Sequence, residues 1–353
     1  MDVSTKLTLL GMINPCTSSF SATSINARYG ADRVVENVYR SGMRAAIGKQ
    51  IMDISGYADH PQIIHKGLIE DAQLSIKIFE QLYSKWNGKD SRIWIWFSPR
   101  TPGAVSDELF RTIAQIVKEK DSGVTMHLAE VRDDIRYFKE RGTTPGRFLK
   151  ELGMLGRKFI YVHGVWLNEE DMEIFASSKT SVSHNPSSNC KLGSGIAPVT
   201  KMLAHGVNVA LGTDGGPSND DYDMVREMKL ALLLAKVSNL DPQAIDVLTA
   251  LRMATYNGAY AMGIENMVGS LKKGMKADIA IFNLRAPHLV PSLQPLSNLV
   301  YSGTGADCLH LIVDGKFLKK DGKVLTINEE EVYEKANKYA AELLSRAKLN
   351  NWM

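Results

Sequence analysis

The sequence predicts an α/β fold built as a (β/α)8 TIM-like barrel. Short runs rich in β-branched and aromatic residues alternate with longer amphipathic stretches, which is typical of a parallel sheet with right-handed crossovers. Polar residues cluster where the predicted strands end, as they do at the active-site edge of such barrels. A doubly wound open sheet is the competing architecture, but the sequence lacks the glycine-rich phosphate turn expected after its first strand.

The predicted strands fall one short of the eight that close a barrel, so we expect the barrel to lack strand one. A helix-like stretch, residues 3–12, leads directly into the first strand that can be identified. The predicted strands are residues 17–25, 43–53, 93–100, 123–130, 159–166, 181–189 and 207–216. Apolar residues three and four positions apart predict helices between them, at residues 32–40, 68–86, 106–120, 145–152, 168–177 and 198–205.

The pattern changes after two further helices, near residues 222–236 and 242–262. The pieces GSLKKGMKADIAIF, LVYSG and LHLIVDGKFLKKDGKVLT resemble short strands, and the Asp-Gly pairs at 314–315 and 321–322 predict hairpin turns. A small, partial C-terminal β-domain is therefore expected. The predicted units are a barrel of residues 1–265, a β-sandwich-like domain of residues 266–328 and a C-terminal helix within residues 329–353, capped by Asn328.

Composition excludes several classes of partner. The 353 residues carry a net charge of only +3, with basic and acidic residues interspersed, so neither nucleic acid nor a membrane surface is indicated. The sequence shows no segment apolar enough to span a bilayer and no signal-peptide pattern. The cysteines, Cys16, Cys190 and Cys308, form no disulfide framework or paired zinc motif, which indicates a reducing compartment. We expect a cytoplasmic protein with a small-molecule partner.

The segment HLAE places His127 and Glu130 three residues apart at the end of one predicted strand. A neutral imidazole suits zinc or iron, and a carboxylate outside the ligand shell can move protons. The pair therefore predicts one metal ligand and one acid–base group. The alternative is an ordinary polar loop after the strand.

The next strand ends in VHGVWL, which contains His163. This side chain could hydrogen-bond a metal-bound water or polarise the substrate, or it could be a core histidine satisfied by the backbone. The following segment, SHNPSSNCKLGSGIAPV, ends a strand at His184 and Asn185, and its glycines allow a tight loop over the strand ends. We expect His184 to orient its neighbours rather than to bind metal.

The last predicted strand ends in LGTDGGPSND, which contains Asp214. A carboxylate at this position can bind a divalent metal and accept a proton from its water. The alternative is a turn or helix-capping aspartate, which is common before glycine. Taken together, the histidines and carboxylates follow one another at the ends of three strands, as a metal-dependent hydrolase requires: ligands that lower the pKa of water toward about 7, and groups that move protons.

These segments, followed by DMVREMKLA, resemble the successive strand-end motifs of the amidohydrolase superfamily. The resemblance is strongest to the methylthioadenosine/S-adenosylhomocysteine deaminases and the related triazine chlorohydrolases and aminohydrolases. GSLKKGMKADIAIF and IVDGKFLKKDGKVL are similar to the family's C-terminal β-domain. The resemblance covers essentially the whole chain. Its motifs are specific for the superfamily and much less so for the substrate.

The resemblance implies one divalent metal, zinc or iron, and a role for each residue. His127 would be a metal ligand, and Asp214 both a ligand and the general base. Glu130 would shuttle protons and contact the substrate, and His163 would contact the bound hydroxide or the tetrahedral intermediate. The implied reaction is hydrolysis of a non-peptide carbon–nitrogen bond, in which an amino group leaves an aminated purine, pterin or triazine-like heterocycle.

Two departures from the family pattern change these expectations. The family's H-x-H pair on strand one, which supplies two metal ligands, does not occur in this sequence, so metal is expected to bind weakly or to be absent. The deaminases carry G-P-H after strand four, whereas this chain reads SPRTPG and places Arg100 there. A guanidinium favours an anionic or carbonyl-bearing substrate group, which argues against adenosine-type substrates. The alternative for Arg100 is a solvated loop.

Two functions remain open from the sequence. The first is a metal-dependent deaminase. The second is a truncated or degenerate barrel that has lost metal binding and catalysis. An incomplete barrel also exposes unpaired strand edges, which predicts either low solubility or closure by a second copy of the chain, that is, a homo-oligomer.

Overall fold

The structure, a computed structural model, describes residues 19–21, 30–55 and 66–349. Its core is a sheet of seven parallel strands that pair in the order in which they occur in the chain. This confirms the predicted α/β barrel architecture, with a small antiparallel sheet after it. The strands are β1 (Ser19–Ser21), β2 (Arg44–Ile51), β3 (Ile93–Pro99), β4 (Val124–Leu128), β5 (Phe159–His163), β6 (Ser181–His184) and β7 (Asn208–Leu211).

Helices occupy the connections between these strands and follow the last one. Several begin with a side-chain cap that the sequence provides: Ser106 accepts a hydrogen bond from the backbone N–H of Leu109, and Asp223 caps another helix in the same way. The helices of this part are α1 (Ala31–Ser41), α2 (Ala72–Trp86), α3 (Asp107–Lys120), α4 (Arg132–Glu140), α5 (Pro145–Glu151), α6 (Glu169–Ser178), α7 (Pro186–Lys191), α8 (Val199–Ala204), α9 (Gly216–Asn219), α10 (Met224–Asn239), α11 (Val247–Ala254) and α12 (Tyr256–Met262).

The outward face of the sheet packs against these helices. The ring of Phe97 in β3 stacks on Phe79 of α2 with centroids 3.7 Å apart, and both side chains are fully buried. Burying one such side chain stabilises a fold by about 1.5–3 kcal/mol. The apolar layer between sheet and helices therefore holds the strand ends in place.

The inward face carries small and polar residues near the carboxyl ends of the last strands. A Cβ atom on Gly212, just after β7, would lie 2.5 Å from Oδ1 of Asn185 and 2.6 Å from Oγ of Ser183. Ser183 donates a hydrogen bond to Asn185 at 3.0 Å. Glycine at 212 thus leaves room for a polar pair inside the sheet.

The edges of the sheet are not joined to each other in the part of the chain that the structure describes. There, β1 pairs only with β2 and β7 only with β6. β1 lies within the predicted strand of residues 17–25. All of the other residues of that strand are outside the described ranges, as is the helix-like stretch of residues 3–12. Oligomeric state therefore stays a prediction.

Several predicted elements were wrong in extent or type. Residues 186–189 were expected to extend a strand, but β6 ends at His184 and α7 begins at Pro186, because proline lacks the N–H that a sheet needs and fits the first turn of a helix. The helix expected over residues 242–262 is two helices, interrupted at Thr255 (φ −130°, ψ −89°). The sequence prediction also omitted α4.

The C-terminal part is a four-stranded antiparallel sheet with helices around it. Both predicted hairpins form, with positive φ at Asp314-Gly315 and Asp321-Gly322, as tight hairpin turns of the mirror-image type require. The LVYSG piece, expected to be strand-like, is helical instead. The elements are β8 (Ile279–Phe282), α13 (Pro295–Ser302), β9 (Cys308–Val313), β10 (Lys316–Lys320), β11 (Lys323–Val324) and α14 (Glu329–Arg346).

A buried ion pair joins this sheet to the barrel. The guanidinium of Arg44, at the start of β2, is fully buried and donates to both carboxylate oxygens of Asp278 at 2.6 and 2.8 Å. Asn328 caps α14 as expected, accepting from the N–H of Glu331 at 3.2 Å. The domain boundaries at residues 265 and 328 remain predictions.

Two further features bear on location in the cell. Among the described residues, no helix combines the length and the apolar character needed to cross a bilayer. Cys190 is a free thiol. A reducing compartment and a cytoplasmic location stay predictions.

Candidate active site

Four side chains singled out in the sequence lie at the same edge of the sheet. His127 is the penultimate residue of β4, and Glu130 follows that strand. His163 is the last residue of β5. Asp214 follows β7. All of these positions are at the carboxyl ends of parallel strands, where loops from neighbouring β/α units converge.

The structure brings together, at this edge, three side chains of the types that bind metals. Nε2 of His127 lies 3.9 Å from Oδ1 of Asp214, and the rings of His127 and His163 have centroids 5.2 Å apart. One ligand atom from each of the three residues lies within 4.8 Å of one from each of the other two. We call His127, His163 and Asp214 the donor cluster.

Unusual backbone conformations aim these side chains. His163 and Asp214 have φ of 78° and 60°, and Ala129, between His127 and Glu130, has φ of 50°. Non-glycine residues seldom adopt this left-handed region, and they keep it only where the surrounding structure holds them there. These left-handed residues at the strand ends thus orient the side chains of the cluster.

Two hydroxyl groups fix the carboxylate of Asp214. Ser188 in α7 donates to Oδ2 at 2.6 Å, and Ser218 in α9 donates to the same oxygen at 2.8 Å. Burial alone would raise the pKa of Asp214, but these hydrogen bonds and the two cluster histidines outweigh it, so the pKa is lowered. Oδ2 is therefore occupied, and Oδ1 is the oxygen that faces His127.

His163 is held in one orientation by a single amide. Its side chain is fully buried, and Nδ1 lies 2.8 Å from Oδ1 of Asn189. Because a carbonyl oxygen can only accept, Nδ1 carries the hydrogen and Nε2 keeps its lone pair. Within the described residues Nε2 has no hydrogen-bond partner, although Oε2 of Glu130 is 3.5 Å away. A buried nitrogen without a partner is the state expected of a ligand position.

The electrostatics favour a neutral imidazole at His127. Burial holds the pKa of His127 well below its usual range, and the charge of Arg100 and the neighbouring His163 lower it further, against the opposing effect of Asp214. The neutral form is the one that binds a metal. His184, at the end of β6, is also buried, and burial together with His163 lowers its pKa to about 3. His184 is not a member of the donor cluster.

Glu130 has the properties of a proton carrier. Burial raises its pKa, and the neighbouring His163 and Arg100 offset only part of this effect. Oδ2 of Asp134 accepts from the backbone N–H of Glu130 at 2.7 Å, which fixes the turn that delivers the side chain. Raising a carboxyl pKa toward neutrality suits a group that both donates and accepts a proton.

Arg100 follows β3 and lies close enough to the site to act on the pKa of both His127 and Glu130. It is half-buried. In the described ranges no carboxylate lies within ion-pair distance of its guanidinium. The guanidinium of Arg100 therefore has N–H groups that can donate hydrogen bonds to a ligand.

The donor cluster fits a divalent metal. Two imidazole nitrogens and one carboxylate oxygen form a set that zinc accepts, and catalytic zinc sites commonly use three protein ligands and leave one position open. The sequence predicted His127 and Asp214 as the ligands, and the geometry adds His163 as a third donor. The roles of the individual residues remain predictions.

Sequence reasoning missed the residues that hold the cluster in place. Ser188, Asn189 and Ser218 lie inside the motifs SHNPSSN and LGTDGGPSND, but they were given no role. The signal available was Pro186, which starts α7 and turns Ser188 toward Asp214 and Asn189 toward His163.

Residues 3–318 match the amidohydrolase family. The 5'-deoxyadenosine deaminase of Methanosarcina mazei is 37% identical over 342 residues, which are 96% of this chain and 75% of that protein. The 5-methylthioadenosine/S-adenosylhomocysteine deaminase of Pyrococcus horikoshii is 38% identical over 334 residues, 94% of this chain and 75% of that protein. The chain thus spans about three-quarters of the length of these relatives.

Solved structures show the same architecture. The adenosine deaminase of Xanthomonas campestris, determined with bound zinc, superposes with a TM-score of 0.88 at 27% identity and covers 97% of this chain and 75% of that chain. The atrazine chlorohydrolase of Arthrobacter aurescens TC1, complexed with zinc, has a TM-score of 0.86 at 22% identity and covers 95% and 76%. The second likeness shows the fold alone.

Proposed function

Because this chain belongs to the amidohydrolase family and is an enzyme of that family, we propose that it catalyses the hydrolytic deamination of a purine-like heterocycle. The observation that carries the proposal is the donor cluster, which lies beside Glu130 at the carboxyl edge of the sheet. The deaminase names of the relatives support the same reaction. A pterin or triazine-like ring remains within the proposed substrate class.

We propose that His127, His163 and Asp214 hold one divalent metal. When bound, such an ion lowers the pKa of a water molecule and polarises the carbon–nitrogen bond that is attacked. The zinc in the Xanthomonas adenosine deaminase favours zinc for this chain, with iron as the second candidate. The donor set is compatible with either metal.

The two carboxyl groups divide the proton transfers. Water adds to the ring carbon that carries the amino group, and Oδ1 of Asp214 takes one of its protons. Glu130, whose raised pKa favours the protonated form, gives a proton to the adjacent ring nitrogen. The carbon–nitrogen bond then breaks, and the amino group leaves with the bonding electrons and the proton from Asp214 as ammonia. The remaining hydroxyl proton returns to Glu130 while the ring carbonyl forms.

Arg100 binds the reacting ring in this proposal. Nε2 of His163, which has no hydrogen-bond partner within the described residues, serves as a metal donor. A contact between this nitrogen and the oxygen that adds to the ring is the alternative use of its single lone pair. Arg100 would bind a carbonyl or anionic group of the substrate, because a guanidinium donates two parallel hydrogen bonds to such groups. An aminopurine that carries a ring carbonyl fits this site better than adenosine does.

The alternative of a degenerate, non-catalytic barrel has no support from these observations. Its signature would be a scattered or missing donor set, whereas the structure places three donors within 4.8 Å of one another. We therefore prefer the deaminase.

An ammonia-release assay on the full chain, loaded with zinc, tests the proposal. The substrate panel consists of guanine, 5'-deoxyadenosine, 5-methylthioadenosine, an aminated pterin and an aminated triazine. We expect at least one to release ammonia with a matching ultraviolet change, which a chelator abolishes and zinc restores. Asp214→Asn should lose this activity, and the surface variant Asp220→Asn should keep it. No turnover by protein that holds stoichiometric zinc would overturn the proposal.

A further inference from the structure

Glu227 is a buried carboxylate with no place in the proton transfers described above. It lies in the first turn of α10, and its residue is 0% exposed. Oε2 accepts from the backbone N–H of Ser187 at 3.1 Å, and Oε1 accepts from Nδ2 of Asn219 at 2.8 Å. Burial raises its pKa, and these hydrogen bonds offset part of the rise. A buried charge is costly unless it is fully hydrogen-bonded, so its presence calls for a reason.

The partners of Glu227 stand next to the groups that hold Asp214. Ser187 precedes Ser188, and Asn219 follows Ser218. Both serines donate to Oδ2 of Asp214, at 2.6 and 2.8 Å. The two carboxylate oxygens of Glu227 therefore bind two separate segments, α7 and α9. These are the segments that carry the two serine hydroxyl groups.

A third link ends on the backbone beside Asp214 itself. Nδ2 of Asn219 also donates to the carbonyl oxygen of Thr213 at 2.6 Å. Thr213 is the residue before Asp214, which has the left-handed φ of 60°. The chain Glu227, Asn219, Thr213 thus holds the turn that aims the carboxylate toward His127.

Helix α7 also positions His163, the second histidine of the donor cluster. Asn189 in α7 accepts from Nδ1 of His163 at 2.8 Å, and α7 is tied to α10 through the Ser187 contact of Glu227. One buried carboxylate is thus connected to two of the three donors through hydrogen bonds joined by short stretches of backbone.

We infer that Glu227 is a positioning residue that locks α7 and α9 around Asp214 and so keeps Oδ1 of Asp214 free to face His127. The inference deepens the proposed function, since the geometry it protects is that of the proposed metal site. Groups that support metal ligands typically change metal affinity or activity by about 10- to 100-fold when they are altered.

Zinc affinity of the full chain, measured by competition with a fluorescent chelator, gives a readout that does not depend on turnover. Glu227→Gln keeps the shape of the side chain but replaces one acceptor oxygen with an N–H donor, which opposes one of the two bound hydrogens. We expect zinc to bind about 10- to 100-fold more weakly. The matched control is Glu265→Gln, which breaks a partly buried ion pair with Arg157 at the amino end of β5 and should leave zinc affinity unchanged.

A double-mutant cycle separates positioning from a general effect on folding. In a Ser188→Ala, Ser218→Ala background the hydroxyl groups that Glu227 positions are gone, whereas its links to Thr213 and to Asn189 remain. Glu227→Gln should therefore weaken zinc binding by a smaller factor in this background than in the wild type. An equal loss in both backgrounds would overturn the inference, because it would mean that Glu227 does not act through the serines. Unchanged zinc affinity in the single variant would overturn it as well.

Kinetics on the same variants distinguish this inference from the proposed function. If the wild-type chain deaminates a substrate, Glu227→Gln at saturating zinc should lower kcat about tenfold or more with little change in KM, since the substrate contacts are intact. If the wild-type chain shows no turnover, the proposed function fails, and the zinc competition still decides the role of Glu227. A variant that has lost cooperative thermal unfolding is replaced by Asn219→Ala, which keeps the Ser187 link of Glu227 and should show a smaller loss of zinc affinity in the same direction.

Discussion

Nε2 of His127 lies 3.9 Å from Oδ1 of Asp214, although His127 belongs to β4 and Asp214 follows β7. The contact forms because parallel strands end at one edge, and because serine hydroxyls occupy the other oxygen of Asp214. The lone pairs of Nε2 and Oδ1 repel each other, and a cation placed between the two atoms would offset this repulsion. The predictions below follow from this arrangement and from the groups that support it.

Glu130→Gln should slow deamination by about 10²- to 10⁴-fold, the usual contribution of a general acid–base group. Glu130 is outside the donor cluster, so zinc content, measured by mass spectrometry, should equal that of the wild type. Glu140→Gln, on the exposed face of α4, serves as the control and should be fully active. Loss of zinc from Glu130→Gln would show that this carboxylate is a ligand instead.

Arg100→Ala should raise KM about 10- to 100-fold for a substrate with a ring carbonyl, because hydrogen bonds from a charged donor contribute about 1.5–3 kcal/mol. For 5'-deoxyadenosine, which has no such carbonyl, KM should hardly change. Steady-state kinetics on both substrates check this, with the exposed Arg136→Ala as control. Equal effects of Arg100→Ala on the two substrates would assign Arg100 to the general electrostatics of the site.

Gly212→Ala should destabilise the protein by about 1–3 kcal/mol, because the new methyl group would overlap Asn185 and Ser183 on the inner face of the sheet. Gly258→Ala is the matched control: it lies in α12, and an added Cβ there meets nothing within 4 Å. Alanine at 258 should stabilise the helix by about 0.4–1 kcal/mol. Urea unfolding of both variants measures the two free energies, and a destabilised Gly258→Ala would argue against the packing described.

Asp307→Asn should reduce the loss of folding stability that the protein shows as the pH falls. Burial tends to raise the pKa of Asp307, but hydrogen bonds from His288 and Thr304 lower it overall. A carboxyl pKa that is lower in the folded state contributes stability above its unfolded value of 3.8, and that contribution is lost as pH falls through the folded pKa. Thermal unfolding between pH 7 and pH 3 should therefore show a smaller loss for the variant than for the wild type. Parallel curves for the two proteins would contradict this.

The sequence was sufficient for those parts of the structure that depend on local pattern. Strand–helix alternation gave the parallel sheet, and the polar residues at strand ends pointed to one edge of it. The Asp-Gly pairs gave both hairpins. These features depend on periodicity and turn chemistry, which are written into short stretches of chain.

Features that depend on tertiary contacts could not be read in the same way. The alternation through SVSHN ran on past His184, and only Pro186 indicated the short helix α7. LVYSG has the composition of a strand, but it packs as a helix. The serines around Asp214 and the carboxylate of Glu227 come from separate segments, and no spacing in the sequence shows that they meet.

Crystals of the zinc-loaded chain, with anomalous scattering recorded at the zinc edge, test the central claim most directly. The account predicts one strong peak between Nε2 of His127 and Oδ1 of Asp214, at coordination distances of about 2 Å from both. A molecule that binds zinc at other residues, with no peak between these two atoms, would contradict it.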